Sequence, residues 1–498
     1  MLQLHSPQEA AAWLGERVSG NLTIDSRQVG RGDGFIAWPG AANDARQFVA
    51  TALGAGAQAC LVEALGAARF ELTDARVACF SGLKRAAASI AAAYYKDPSK
   101  QLQTIAITGT NGKTSTAWWL AHALNNLGFK AGMVGTLGIG APSALVFNGL
   151  TTPDPVTLQK HFRRFADEGF NMCVIEASSI GIAEHRLDAT QIQIAVFTNF
   201  TQDHLDYHPS MAHYWAAKES LFDWPGLKSA VVNIDDPKGL VLSEKLVSAG
   251  VDVWTVSRLG AARLQARAIE QGSQSLTFEI AEGQETYGVS AATLGLYNVS
   301  NLLCMAGALR ALGVPLKDAA QSCMNLPVVP GRLNTLAVDG APLVAIDYAH
   351  TPDALEKVLV ALRPVSEKRG GQLWCVFGCG GNRDTAKRAL MGAAAQKFAD
   401  RIVVTSDNPR SENPLDIITQ ISSGMAQSDG VCTQPDRAKA IAETIARAAP
   451  NDVVLIAGKG HENYQEISGT QYPFLDRDYA QTALAAKFDR HSASGAQV

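Results

Sequence analysis

The chain has 498 residues, of which 47% are hydrophobic and 18% are charged, and its formal net charge is -4. This charge balance lacks the broad positive field that nucleic-acid binding needs, so we expect no nucleic-acid partner. The N-terminus has no basic region followed by an apolar stretch, and no apolar run approaches the ~20 residues that cross a bilayer. We therefore expect a cytoplasmic protein without membrane contact. Its eight cysteines are scattered along the chain, so we expect free thiols and no disulfide framework.

The length exceeds what one hydrophobic core accommodates, and a prior of about 150 residues per domain predicts roughly three domains. Junctions rich in proline, glycine and polar residues lie at 96–100 and 327–332. They predict domains over residues 1–97, 98–331 and 332–498. From about residue 101 strand and helix patterns alternate, which predicts an α/β fold with a mainly parallel central sheet and a doubly wound, Rossmann-like last domain.

A glycine-rich segment follows the apolar run 104–108. It reads Gly109-Thr110-Asn111-Gly112-Lys113-Thr114-Ser115 and leads into a predicted helix that ends near residue 127. Its glycines let backbone N–H groups approach a phosphate, Lys113 would reach the outer phosphates, and the Thr114 hydroxyl would bind Mg²⁺. The usual pattern has a glycine where this chain has Ile107, so the match is to a shorter Gly-x-x-Gly-Lys-Thr motif. We predict a nucleotide site here, with a chance glycine-rich turn as the alternative.

Polar residues follow other apolar runs of the middle segment. Glu176 ends the run 173–175, and His204 lies just beyond the run 195–200. Ligands of open parallel sheets bind at the carboxyl ends of strands, so both residues are placed to reach a phosphate-bound Mg²⁺. A carboxylate suits this hard cation, whereas histidine is a less usual ligand and is as readily explained as a hydrogen-bonding residue.

Two further patterns leave alternatives open. Ser210 is expected to cap a helix over 211–221, on which Lys218 reads as an ordinary solvated lysine. Asn298 and Asn301 open another predicted helix, where they would either contact a nucleotide base or cap the helix.

The segment Asp407-Asn408-Pro409-Arg410 follows the apolar run 402–405. It places a carboxylate, an amide and a guanidinium within one loop, which suits a small ligand that carries both an ammonium and a carboxylate. Arginine binds a carboxylate as a planar fork, a geometry that lysine does not reproduce. Taken alone, the segment is also compatible with an Asn-Pro turn followed by an exposed arginine.

In order and spacing these motifs resemble those of the Mur ligases over essentially the whole chain. The family uses the shortened phosphate loop, and the segment 407–410 is similar to the signature of its meso-diaminopimelate-adding branch, since lysine-adding relatives usually lack that arginine. The other similar motifs are Thr151-Thr152-Pro153, Glu176-Ala177-Ser178-Ser179, Asp203-His204-Leu205-Asp206, Asn298-x-x-Asn301, Gly331-Arg332 and Asp347-Tyr348-Ala349-His350-Thr351-Pro352.

The resemblance implies ATP-driven amide formation in peptidoglycan precursor synthesis. The γ-phosphate of ATP would pass to the D-glutamyl carboxylate of UDP-N-acetylmuramoyl-L-alanyl-D-glutamate, and the amine of meso-diaminopimelate would displace phosphate from the acyl phosphate. We expect a monomer that closes about hinges near residues 97 and 331. The rival interpretations are a lysine-adding or folylpolyglutamate-forming relative, and a nucleotide-binding regulator without transfer chemistry.

The resemblance also implies roles for individual residues at the ATP and metal sites. ATP contacts are implied for the whole loop from Gly109 to Ser115 and for Asn298, Arg332 and Asp347. Catalytic roles are implied for Lys113, Glu176, His204 and Lys218. Of these, Glu176 and His204 would bind Mg²⁺ together with Thr114 and with Lys218, which matches a carbamylated lysine of the family.

Substrate contacts are implied in all three segments. Those for the UDP-linked dipeptide are Ile24, Ser26, Ala41, Ala42, Asn43, Thr151, Thr152, Ser178, Glu184 and Arg186. Those for diaminopimelate are Arg383, Asp407, Asn408, Pro409, Arg410, Gly458 and Glu462. The chain departs from the family at Ile180, where histidine is common, and at Glu184, where glutamine is common. A carboxylate beside a polyanionic substrate would have to be protonated or turned away.

Overall fold

The computed structural model describes residues 1–40, 43–272 and 275–495. Strands and helices alternate along the chain, and most strand pairs are parallel. The predicted α/β class is therefore confirmed. No helix in the described part of the chain combines the length and the apolar composition needed to cross a membrane.

The first sheet is entirely parallel and has the strand order β1-β5-β4-β3-β2. Its central strands are buried on both faces, as the unbroken apolar run of β4 requires. The strands are β1 (Leu2–Leu4), β2 (Leu22–Thr23), β3 (Gly34–Ala37), β4 (Ala59–Glu63) and β5 (Val77–Phe80), and the helices are α1 (Pro7–Gly15), α2 (Val49–Gly54) and α3 (Leu83–Tyr94).

The second sheet has the order β16-β15-β14-β13-β12-β11-β6-β10-β7-β8-β9. Its strands are β6 (Gln103–Thr108), β7 (Ala131–Gly135), β8 (Gly138–Ala141), β9 (Ala144–Val146), β10 (Met172–Glu176), β11 (Ile194–Phe197), β12 (Ser229–Asn233), β13 (Asp252–Ser257), β14 (Leu264–Gln271), β15 (Leu276–Glu282) and β16 (Glu285–Ala291). The helices are α4 (Lys113–Asn126), α5 (Pro155–Asp167), α6 (Ser179–Ala183), α7 (Met211–Glu219), α8 (Pro237–Ser248), α9 (Tyr297–Ala311) and α10 (Leu316–Ser322).

Parallel pairing dominates the middle of this sheet, where β6 lies between β10 and β11. Antiparallel strands extend it at both ends, through β7–β9 and β14–β16. The alternation of strands and helices did not indicate these extensions, because hairpin strands have no intervening helix. Strand β11 also ends at Phe197, earlier than the apolar run predicts, since the Phe200 N–H is bonded to the Asp236 carboxylate at 2.7 Å and so leaves the sheet.

The third sheet has the order β17-β18-β22-β19-β20-β21, and only β17 is antiparallel to its neighbour. Its strands are β17 (Asn334–Leu336), β18 (Leu343–Asp347), β19 (Leu373–Phe377), β20 (Arg401–Val404), β21 (Val431–Thr433) and β22 (Val453–Ala457), followed by the hairpin β23 (Tyr464–Ile467) and β24 (Thr470–Pro473). The helices are α11 (Pro352–Arg369), α12 (Ala386–Phe398), α13 (Pro414–Ser422), α14 (Arg437–Arg447) and α15 (Asp476–Gly495).

Helices cover both faces of the third sheet, as a doubly wound arrangement requires. One apolar cluster packs α11, α12 and α13 on the sheet, and another packs α14 and α15 on it. The three sheets occupy residues 2–80, 103–291 and 334–457, in turn. These ranges lie within the three predicted segments, whose boundaries at 97 and 331 stay predictions.

A buried ion pair holds the ends of two strands of the third sheet. Arg437 and Asp476 are both fully buried, and two guanidinium–carboxylate hydrogen bonds of 2.7 Å join them. Arg437 also donates to the carbonyls of Ser406 at 3.2 Å and of Ala457 at 3.0 Å. It therefore links the carboxyl ends of β20 and β22 to the start of α15.

Replacing Arg437 by methionine should lower the free energy of unfolding of this sheet by about 3–5 kcal/mol, because the Asp476 carboxylate would stay buried without its partner. Urea denaturation followed by circular dichroism measures the change. The double variant Arg437→Met/Asp476→Leu is the control, and it should recover most of the loss. A single variant as stable as the wild type would show that the pair has no such role.

Candidate active site

The phosphate loop joins β6 to α4 and is shaped by two glycines with positive φ. Gly109 has φ +140°, and a Cβ atom placed there would lie 1.9 Å from the Thr198 hydroxyl oxygen. Gly112 has φ +87°, and a Cβ atom there would lie 2.3 Å from an amide oxygen of Asn301. The loop is thus packed too closely for side chains at either position, which keeps its backbone next to the start of α4.

The two lysines of the site converge on this loop. The Lys113 ammonium donates to the carbonyls of Gly109 at 2.9 Å and of Thr110 at 2.8 Å. Lys218 donates to the Gly109 carbonyl at 2.7 Å and lies 4.5 Å from the centroid of the Tyr214 ring. Their side-chain nitrogens therefore share the Gly109 carbonyl as an acceptor, which brings the two lysines together beside the loop.

Lys218 is buried, with only 1% of its surface exposed, so the alternative of a solvated helical lysine is wrong. Burial, together with the charge of Lys113, holds the pKa of Lys218 well below its usual value, although Asp203 opposes the shift. A neutral amine is the form that adds CO₂. The environment therefore fits the carbamate that the family resemblance implies, and the carbamate itself stays a prediction.

Glu176 ends β10 and is fully buried. Its carboxylate accepts hydrogen bonds from the Thr114 hydroxyl at 2.8 Å and from the Thr136 N–H and hydroxyl at 2.8 and 3.2 Å. A carboxylate and a hydroxyl thus meet beside the phosphate loop, a donor set that suits Mg²⁺. Among the described residues, no group of three or more His, Cys, Asp or Glu side chains is arranged to hold a metal by itself. The pair fits an ion that is completed by phosphate oxygens and water.

His204 lies in the segment after β11 and adopts a positive φ of 54°. Its backbone N–H donates to Asp203 at 2.8 Å, but its ring nitrogen is 3.6 Å from that carboxylate, which is too long for a hydrogen bond. Burial lowers the pKa of His204 to about 4, against the opposing charge of Asp203, while Lys113 and Lys218 lower it further. A neutral imidazole at this place is compatible with both roles considered from the sequence, which are a Mg²⁺ ligand and a hydrogen-bonding residue.

Asn298 and Asn301 lie in the first two turns of α9 and are buried. The Asn298 amide donates to the Leu294 carbonyl at 2.8 Å and to the Thr293 hydroxyl at 3.1 Å. Its oxygen accepts from the Asn301 amide at 2.9 Å. The two side chains therefore brace the start of the helix, and they also line the cavity beside the phosphate loop.

Arg332 and Asp347 approach the phosphate loop from the third sheet. The Asp347 carboxylate accepts from the N–H groups of Leu333 and Ala349, both at 2.7 Å, and burial raises its pKa. Arg332 lies 4.6 Å from the Tyr348 ring centroid, and its guanidinium is 3.3 Å from the Thr114 hydroxyl. Asp347 thus fixes the turn that directs Arg332 towards the loop.

These elements enclose a cavity of about 370 Å³. Predicted ATP-site residues account for much of its wall, namely Asn111, Gly112, Thr114, Ser115, Asn298, Arg332 and Asp347. A second cavity of about 250 Å³ shares Ser115, Asn298 and Arg332 with it. Asn111 also donates to Asp353 of α11 at 2.8 Å, so the second and third sheets meet at this cleft.

The candidate contacts for the UDP-linked dipeptide form a second group beside Glu176. The Thr152 hydroxyl donates to the Glu176 carbonyl at 2.7 Å and lies 3.0 Å from the Ser178 hydroxyl. Arg186 donates to the Thr152 carbonyl at 2.8 Å, and the Thr151 hydroxyl is 3.0 Å from that of Thr136. These residues therefore lie together, one strand end away from the phosphate loop.

The remaining dipeptide candidates lie around the first sheet. Ile24 and Ser26 are partly exposed at a short 3-10 helix over Ser26–Gln28, and Asn43 is exposed. Ala41 and Ala42 lie outside the described residues. Glu184 forms an ion pair with Lys84 at 2.6 Å, so its carboxylate is charged and already bonded to a protein group.

The candidate diaminopimelate residues occupy three loops at the carboxyl ends of β19, β20 and β22. The Asn408 amide donates to Glu462 at 2.8 Å, and Asp407 accepts from the Asn408 N–H at 2.7 Å. Gly458 has φ +115°, and a Cβ atom there would lie 2.5 Å from an Asp407 oxygen. Burial and the charge of Asp407 raise the pKa of Glu462, whereas Lys459 opposes the shift. Asn408 thus bonds to both acids.

Lys459 is a member of this group that the sequence did not assign. Its buried ammonium donates to the Asn408 oxygen and to Glu462, both at 2.9 Å. The ammonium is thus held inside the loop cluster. The sequence offered one signal, which was a lysine three residues before an acid.

Two arginines in these loops differ in their exposure. Arg410 donates to the Gly381 carbonyl at 2.7 Å and lies 3.3 Å from Glu466, whereas Arg383 is exposed. The fully buried Arg388, also unassigned from the sequence, donates to both oxygens of Glu412 at 2.8 and 2.9 Å. Arg388 therefore fixes the loop that carries Pro409 and Arg410 against the start of α12.

Comparison with known proteins decides the family. The description "Mur ligase middle domain" matches residues 107–309, and "Mur ligase, glutamate ligase domain" matches residues 331–460. A UDP-N-acetylmuramoyl-L-alanyl-D-glutamate–2,6-diaminopimelate ligase of Acidovorax sp. is 56% identical over 487 residues, which cover 96% of this chain and 97% of that protein. The chain belongs to the Mur ligase family.

Other relatives support the same assignment. A ligase with the same name from Pseudomonas aeruginosa is 44% identical to this Mur ligase, with 93% of this chain and 95% of that protein covered. A solved structure with that enzyme name has a TM-score of 0.64 at 33% identity and covers 94% and 95% of the two chains. The MurF ligase of Thermotoga maritima shares the fold alone, with a TM-score of 0.65 at 17% identity over 95% and 98% of the chains.

Replacing Lys459 by methionine should lower the free energy of unfolding by about 3 kcal/mol, because the acid at 462 would lose its buried cation. The KM for diaminopimelate should rise, and the KM for ATP should stay unchanged. Urea denaturation and steady-state kinetics check both effects, with the exposed Lys397→Met as the control. A rise in the KM for ATP alone would instead show that Lys459 serves the nucleotide site.

Proposed function

We propose that this Mur ligase uses ATP to add meso-diaminopimelate to the D-glutamyl carboxylate of UDP-N-acetylmuramoyl-L-alanyl-D-glutamate. The product is the tripeptide precursor of peptidoglycan. We further propose that the protein acts as a monomer in the cytoplasm, with domain boundaries at 97 and 331.

The observation that carries this proposal is that two candidate sites lie on the second and third sheets, which are in contact. The phosphate loop and Glu176 form a site for a metal-bound triphosphate, and Arg332 reaches that site from the third sheet. The loop at 407–410 and Glu462 supply acids beside an arginine on the same third sheet. A ligand with two carboxylates and two ammonium groups needs both charge types at once. The names of the relatives agree with this chemistry.

The reaction needs no reagent besides ATP, the UDP-linked dipeptide and diaminopimelate. A carboxylate oxygen of the dipeptide attacks the γ-phosphorus of ATP, and the bond from that phosphorus to the bridging oxygen breaks, which releases ADP. The diaminopimelate amine then attacks the acyl carbon, loses a proton, and expels phosphate as the amide forms. The protein chiefly positions the reactants and offsets their negative charge.

The residues of the phosphate loop have separate tasks in this proposal. Lys113 holds the outer phosphates once it leaves its backbone acceptors, and the backbone N–H groups bind the inner ones. Thr114 and Glu176 would hold Mg²⁺, which supplies neutralisation of phosphate charge when bound. His204 and carbamylated Lys218 would hold a second ion.

The substrate sites follow the same division. Thr151, Thr152, Ser178 and Arg186 are proposed to bind the sugar-peptide part, and Ile24, Ser26 and residues 41–43 the uridine part. The diaminopimelate set is the one predicted from the sequence, namely Arg383, Asp407, Asn408, Pro409, Arg410, Gly458 and Glu462. Asn298 and Asp347 line the cleft and are proposed to contact ATP there.

A panel of acceptors tests the function. The protein is given ATP, Mg²⁺ and UDP-N-acetylmuramoyl-L-alanyl-D-glutamate with diaminopimelate, lysine or glutamate, and phosphate release and amide formation are measured. We expect efficient turnover with diaminopimelate only. Preference for lysine or glutamate would point to another member of the family, and ATP binding without phosphate release would point to a regulator.

The same panel tests Arg410. Arg410→Lys should cost about 2 kcal/mol of diaminopimelate binding, or roughly thirtyfold in KM, because lysine loses the forked geometry. The control is Arg401→Lys at the opposite end of β20. An unchanged KM for diaminopimelate would show that Arg410 does not contact it.

The carbamate on Lys218 is tested by ¹³C NMR in ¹³C-bicarbonate. Since the ammonium is buried with a lowered pKa, we expect one carbamate resonance at neutral pH that is absent from Lys218→Ala. Short carboxylates should partly restore the activity of that variant. A wild-type spectrum without the resonance during turnover, or a fully active alanine variant, would contradict the assignment.

A further inference from the structure

Glu184 joins three separate parts of the chain. One carboxylate oxygen accepts from Lys84 of α3 at 2.6 Å, and the other accepts from the Tyr207 hydroxyl at 2.5 Å. Lys84 belongs to the unit of the first sheet, Glu184 follows α6 directly, and Tyr207 lies in the segment after β11. We call these three residues the 84–184–207 bridge.

The charges show that the bridge is an ionised contact. Partial burial opposes ionisation of Glu184, but Lys84 and the Tyr207 hydroxyl hold its pKa below the usual value. Burial and the adjacent carboxylate raise the pKa of Tyr207 to about 12, so its hydroxyl keeps its proton and donates. Both oxygens of Glu184 are therefore engaged within the protein.

The bridge joins the two units that hold the residues proposed for the UDP-linked dipeptide. Arg186 is two residues beyond Glu184 and donates to the Thr152 carbonyl at 2.8 Å. On the other side, α3 starts next to β4, since the Glu63 carboxylate accepts from the Leu83 N–H at 2.7 Å. Lys84 thus connects the first-sheet unit, which holds the uridine candidates, to the residue that follows α6, whose flanks hold Ser178 and Arg186.

The third arm of the bridge reaches the segment of His204. The Tyr207 N–H donates to the His204 carbonyl at 3.1 Å, so these residues form one turn. A carboxylate that holds Tyr207 therefore also restrains the turn that presents the imidazole.

We propose that Glu184 is a positioning residue that ties the first-sheet unit, through Lys84, and the His204 turn, through Tyr207, to the binding site of the UDP-linked dipeptide. This inference rests on the proposed function. Glutamine is common at this position in the family. Glu184 instead bonds to two protein groups and would repel a polyanionic substrate. The Glu184 carboxylate therefore pairs with Lys84 and does not contact the UDP-linked dipeptide.

A double-mutant cycle separates positioning from substrate contact. Glu184→Gln keeps an acceptor for Tyr207 but removes the ion pair, and Lys84→Met removes the same pair from the other side. We expect each variant to raise the KM for the UDP-linked dipeptide about fivefold, with kcat and the KM for ATP little changed. The double variant should be no worse than either single one, since both remove one interaction.

Tyr207→Phe tests the other arm. It removes the hydroxyl donor and leaves the Lys84 pair, so we expect a lower kcat with a nearly unchanged KM for the UDP-linked dipeptide. Lys439→Met, which removes a lysine from an exposed ion pair with Asp436 in the third-sheet unit, is the control and should match the wild type.

The outcomes are distinct. Additive effects in the cycle would show that Glu184 contacts the substrate itself, and unchanged kinetics in both single variants would show that the bridge has no role. Either result overturns the inference while leaving the ligase activity in place. Failure of the wild type to turn over the UDP-linked dipeptide with diaminopimelate would overturn the proposed function instead.

Discussion

The buried carboxylate of Glu176 is the interaction on which the arrangement of the site depends. Its side chain has no solvent contact, so its oxygens must find hydrogen-bond partners within the protein. The Thr114 hydroxyl and the Thr136 N–H supply that partnership from the phosphate loop and from the end of β7. One carboxylate thus aligns two strand ends and the start of α4, and its strand carbonyl also accepts from Thr152. The candidate residues for the nucleotide and for the UDP-linked dipeptide are adjacent because both groups contact Glu176.

A second principle is that the lysine side chains of the site donate hydrogen bonds to protein acceptors. Lys113 and Lys218 both donate to the Gly109 carbonyl, and Lys459 donates to Asn408 and Glu462. Burial of an ammonium without such partners would be costly. The acceptors of Lys113 are neutral carbonyls, which a phosphate can replace, whereas Lys459 is paired with an acid. This difference explains why two lysines that each follow a glycine have different proposed roles.

Candidate ligand-binding residues lie on all three sheets, and contacts of charged side chains join the sheets. Arg332 approaches the phosphate loop from the third sheet, and Asn111 reaches back to Asp353. Lys84 connects the first sheet to Glu184 of the second. Because ligand groups lie on different units, their relative placement matters as much as any local geometry. Contacts between units are therefore where the chain can adjust substrate binding without altering the residues that touch the reacting atoms.

The sequence by itself determined the features that depend on neighbouring residues. The phosphate loop, the strand ends with their polar residues, the Ser210 cap and the segment 407–410 follow from glycine conformation, periodicity and capping, all of which act over a few positions. Only the tertiary structure decided the burial of Lys218 and the partners of Lys459 and Glu184. These depend on side chains that are distant in the chain, such as Lys84, one hundred positions before Glu184. The antiparallel strands at the edges of the second sheet were decided there too, since pairing between strands is set by packing and not by local pattern.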